Sequence, residues 1–89
     1  MNEFGVRATD EAVAYIREIA AAMTTLLGID EAEAVGRIRH FWRGQTFLGE
    51  MSVGLLMHRT AGDWAKHIYY GGQPWWLSGP PPLPYEPPD

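Results

Sequence analysis

Three of the four tryptophans and two of the four tyrosines fall inside one stretch, Trp64 to Trp76, which reads Trp-Ala-Lys-His-Ile-Tyr-Tyr-Gly-Gly-Gln-Pro-Trp-Trp. A chain of 89 residues forms one domain and buries only about 60% of the surface its unfolded form exposes. Its core must therefore draw on these rings, the largest apolar side chains it owns. The rest of the chain is expected to be built around them.

Upstream, the apolar spacing is helical. Residues 1–8 read as a short arm with Phe4 and Val6 as anchors. From Thr9 or Asp10, either of which can cap a helix, Val13, Ile16, Ala20, Met23 and Leu27 recur three and four apart. Alanines in the middle permit close packing, and Gly28 supplies the left-handed residue that ends helices. Asp30 then starts a second helix, with Glu33 three residues on in a near capping box. Its stripe is Ala34, Val35, Ile38 and Trp42, and Gly44 is its expected end. Arg37, Arg39, His40 and Arg43 gather toward that end, where positive charge suits the helix dipole. So short a connection makes the two helices a hairpin, antiparallel or steeply crossed.

Residues 45–59 are ambiguous between helix and strand. Ser52 is read as the cap of a run from Val53 to His58, and a short helix is favoured because a lone strand would lack a partner. Gly54 weakens either assignment. Thr60 to Asp63 resembles another capping box, opening a helix that buries Ala61, Trp64, Ala65 and Ile68 and ends at Gly71-Gly72. The expected architecture is mainly α: a small helical domain over residues 9–77, made of an N-terminal two-helix hairpin, a C-terminal helix and an aromatic-rich segment. Residues 78–89, with Pro80, Pro81, Pro82, Pro84, Pro87 and Pro88, form a proline-rich tail of polyproline II type. Its Pro-x-x-Pro spacings suit aromatic grooves, but a solubilising, unstructured end is the favoured reading of the two.

Composition excludes several classes. No cysteine is present, so disulfides, thiolate zinc and thiol nucleophiles are ruled out together. A net charge of -4 makes a poor electrostatic platform for nucleic acid. No run approaches the roughly 20 apolar residues that span a bilayer. Met1 to Asp10 lacks the pattern of a secretory signal, and a soluble, cytoplasmic protein without cofactor or metal is expected.

Three constellations bear on function. The turn Leu27-Gly28-Ile29 followed by Arg37, Arg39 and Arg43 allows a helix-turn-helix, but the N-terminal residues offered to bases would be Asp30, Glu31 and Glu33, of the wrong charge. His58, Asp63, Trp64 and His67 allow a ligand or enzymatic site: Asp63 lies one helical turn before His67, where a carboxylate would orient the imidazole and raise its pKa. His58, after an apolar run, is expected to be partly buried. No nucleophile elbow and no paired-histidine metal spacing completes that set. Third, the rings outnumber what a small interior needs, and tyrosine and tryptophan are typical interface anchors. Trp75, Trp76, Tyr69 and Tyr70 are the expected partner contacts, with Arg39 and Arg43 as a polar rim.

Trp42-Arg43-Gly44, Phe47, Gly49, His58, Trp64-Ala65, Ile68-Tyr69-Tyr70-Gly71 and Trp75-Trp76 resemble a pattern in a group of short uncharacterised bacterial proteins, chiefly actinobacterial. The resemblance spans roughly residues 10–77. That pattern carries an acid after the histidine, where this chain has Arg59. The resemblance implies a domain boundary and no activity. The expectation is thus a small non-catalytic protein-binding or accessory protein acting on a protein partner, self-association included, with the histidine-lined ligand site as its rival.

Overall fold

Thr9 is where the chain turns from extended to helical. In the computed structural model, which describes residues 2–72, its hydroxyl accepts from the Ala12 N–H at 3.1 Å and opens α1, Asp10–Leu27. Asp10 and Glu11 stand in the first turn, where negative charge meets the helix dipole. Gly28 closes the helix at φ 71°, a left-handed conformation costly to any residue with a Cβ. The buried face is Ala12, Val13, Ile16, Ile19, Ala20 and Met23. Ile19 belongs to it although the expected stripe passed it by. Leu27 and Ile29 are half-buried against the same core.

Asp30 caps α2, Glu31–Phe41, by accepting from the Glu33 N–H at 2.7 Å. The helix stops three residues before Gly44: Trp42 is its C-cap, and the chain turns back through Gly44 at φ 79°. Ala34, Ile38 and Trp42 face inward as their spacing predicts. Arg37 is buried as well, its Nε bonded to Glu33 Oε2 at 2.8 Å and its guanidinium 4.8 Å from the Tyr69 ring centre. A buried charge needs such partners.

The segment after α2 departs from expectation. Thr46–Phe47 is a short strand, β2, pairing in parallel with β1, Arg7–Ala8, in the register Arg7 to Thr46 and Ala8 to Phe47. The N-terminal arm supplies its partner, while the run from Val53 to His58 is helical, as the sequence favours. Asn2 shapes that arm: its side chain donates to the Val6 carbonyl and accepts from the Phe4 N–H. Phe4 and Val6 are 1% and 2% exposed, so the arm is part of the core. Glu3 and Arg17 form a two-pronged ion pair at 3.0 Å across to α1.

α3, Glu50–His58, begins earlier than Ser52 suggested. Its N-cap is Gly49, and the Ser52 hydroxyl donates back to the Gly49 carbonyl at 3.0 Å. Thr60 then caps α4, Ala61–Tyr69, by accepting from the Asp63 N–H. The α3 to α4 corner has no glycine cap, because Arg59 is extended. Side chains satisfy its exposed carbonyls instead. The Trp64 indole N–H donates to Leu56 O at 2.7 Å, and the Tyr15 hydroxyl donates to Arg59 O.

The product is a mainly helical domain in which α1 packs against α2, α3, α4 and β1, most extensively against α4. No helix among the described residues is long and apolar enough to cross a membrane. Trp75, Trp76 and the proline-rich tail lie outside the described residues.

Candidate functional site

The rings that α2 and α4 contribute meet each other. Trp42 packs edge-on against Trp64 and against Phe47, both at 5.1 Å between ring centres. Phe41 and Trp64 approach His67 edge-on at 5.6 and 5.8 Å. Edge-to-face contact lets many rings share a small volume. Among the described residues every Phe, Tyr and Trp is buried or half-buried.

Of the four residues read as a rival ligand site, Trp64 and His67 meet, but the set does not form one cluster. Asp63 and His58 are both exposed. The partial burial expected of His58 is corrected by the phase of α3: Val53 and Leu56 point inward, which turns His58 outward with Met51, Gly54 and Leu55. Among the described residues no hydrogen bond or ion pair joins Asp63 to His67. The His67 Nδ1 is buried without a hydrogen-bond partner. Burial pushes the His67 pKa down, and the nearby Arg59 charge adds to this, the opposite of the rise an aspartate partner would cause. Arg59 itself lies over the Trp64 ring, 5.0 Å from its centre. Among the described residues no group of three or more His, Asp or Glu side chains is placed to hold a metal ion.

Of the residues read as a partner surface, the four that the structure describes are distributed over separate places. Tyr69 and Tyr70 stack edge-on at 5.1 Å and are half-buried, with Arg37 over Tyr69. Arg39 is exposed on another face of α2, reaching the N-terminal arm, where its Nη1 donates to Glu3 O at 3.4 Å. Arg43 is exposed in the turn after α2.

The exposed apolar surface is elsewhere, and it is aliphatic and thioether. Met51 is 81% exposed and Leu55 67%, both on the outer face of α3; Leu48, Met57 and, on α1, Leu26 are exposed as well. A groove of about 340 Å³ runs along α3, lined by Thr9, Glu11, Leu48, Gly49, Glu50, Val53, Gly54 and Met57. The sequence did carry this signal, since five of the nine residues of α3 are Met, Val or Leu and a helix can bury only one side.

No family model, curated protein or solved structure matches the chain.

Proposed function

We propose that the chain is a small, non-catalytic protein-binding or accessory protein of the bacterial cytoplasm, and that its contact surface is the outer face of α3. The observation that carries the reading is the exposure of Met51 and Leu55, with Met57 also exposed, on a helix with no charged residue between Glu50 and His58. Contiguous apolar surface is where soluble proteins meet partners, and methionine adapts its shape to a partner at little cost. Half-burial of Tyr69 and Tyr70 and the distance of Arg39 from them make the aromatic route through Tyr69, Tyr70, Trp75 and Trp76 the second choice.

The test compares capture by three immobilised full-length chains: wild type, Met51→Ser/Leu55→Ser, and Trp75→Ala/Trp76→Ala. Both α3 side chains are exposed, so their replacement leaves the fold nearly untouched. Loss of bound protein in the α3 variant alone is expected. Loss confined to the tryptophan variant would move the contact to the aromatic residues and refute the α3 surface.

A further inference from the structure

Gly54 sits in the middle of α3, where glycine weakens a helix relative to alanine. Nothing within the described part of the chain asks for it. A Cβ built at this position meets no atom within 4 Å, and its φ is not positive. The four residues that neighbour it along a helix surface, at three and four positions before and after, are Glu50, Met51, Met57 and His58. All five are exposed. About Gly54 the helix is therefore nearly palindromic: a methionine three residues to each side, and four residues out an acid on one side and an imidazole on the other.

Resting on the reading of α3 as the contact surface, we infer that its occupant is α3 of a second copy of this chain, crossing antiparallel at Gly54. A two-fold interface presents the same patch from both sides, so the patch must complement itself. Antiparallel crossing at Gly54 meets that demand. It sets Glu50 of each copy beside His58 of the other, Met51 beside Met57, and the positive end of each helix dipole beside the negative end of its mate. The missing side chain at the centre lets the two backbones approach closely. A helix from an unrelated protein would require no such correspondence between the two ends of α3.

Sedimentation of the full chain over a range of concentrations tests this. Wild type is expected to pass from monomer to dimer. Gly54→Ala is expected to weaken the dimer by about tenfold or more while raising the melting temperature of the monomer, because the added methyl group has space in one copy and none between two. Glu50→His and His58→Glu should each weaken association, and the two together should restore it, as a double-mutant cycle for a direct pair requires. A wild type that stays monomeric throughout overturns the inference, as does a dimer indifferent to both Gly54→Ala and the exchange of Glu50 with His58. A monomer that still loses captured protein on Met51→Ser/Leu55→Ser would sink the second-copy inference alone. Unchanged mass and unchanged capture in that variant would sink the contact surface with it.

Discussion

Replacing Trp64 by phenylalanine tests how the α3 to α4 corner is held. The indole N–H donates to Leu56 O at 2.7 Å, and that carbonyl lies in the last turn of α3, where no backbone donor follows. Removing the donor forfeits a net hydrogen bond worth about 1 kcal/mol, and leaving a part-buried acceptor unsatisfied raises the cost toward about 2 kcal/mol. The smaller ring keeps some of the edge contact with Trp42, 5.1 Å away, and loses part of a pairing worth roughly 0.5–1.5 kcal/mol beyond its area. The sum is about 2–3 kcal/mol, a large share of the roughly 5–15 kcal/mol that holds a domain together. For a chain of this size the melting temperature should fall by about 8–24 °C. Urea unfolding followed by far-ultraviolet circular dichroism measures this without interference from the fluorescence of Trp75 and Trp76. Hydrogen exchange should show the α3 amides opening more easily than those of α1. A loss under about 0.5 kcal/mol, or equal loosening of all four helices, would refute the account of the corner.

Two further outcomes follow from the packing. Phe4→Ala should cost about 3–5 kcal/mol, because the ring is 1% exposed and the arm it anchors also pairs with β2; unaltered urea unfolding would show the arm to be dispensable. His67 is held below the ordinary imidazole value by burial, so the unfolded chain takes up its proton at a higher pH than the folded one does. Its contribution to stability is complete above about pH 6.5 and declines as the pH falls through that value toward the folded pKa. Urea midpoints from pH 7.5 to 5 should fall more steeply in wild type than in His67→Phe, and parallel slopes would show that His67 is not the group responsible.

The helices legible in the sequence are those with local instructions. Thr9, Asp30 and Thr60 each accept from an N–H three residues on, and Gly28 takes the left-handed conformation, so nearby residues alone define α1, α2 and α4. What escaped depends on distant partners. The β1 to β2 bridge joins residues far apart in sequence through two residues on each side, too few to leave a periodic trace. The orientation of His58 hung on whether residues 50–58 were helix or strand, since the two periods send position 58 to different faces. The rings were legible as a group but not in their packing. Edge-on stacking of Phe41, Trp42, Phe47, Trp64 and His67 fits more of them inside than counting side chains suggests. That leaves Met51, Leu55 and Met57 of α3 at the surface.

The position of α1 has a consequence for synthesis. It leaves the ribosome ahead of α4, the helix against which it packs most extensively. At ordinary translation rates roughly 2–8 s separate the end of one from the end of the other. Throughout that interval Ile16, Ile19 and Met23 have no α4 to cover them, and the nascent chain offers a greasy stripe to any chaperone at the tunnel exit. Chains halted before Ala61 should be captured by such factors, and those released after Tyr69 should escape them.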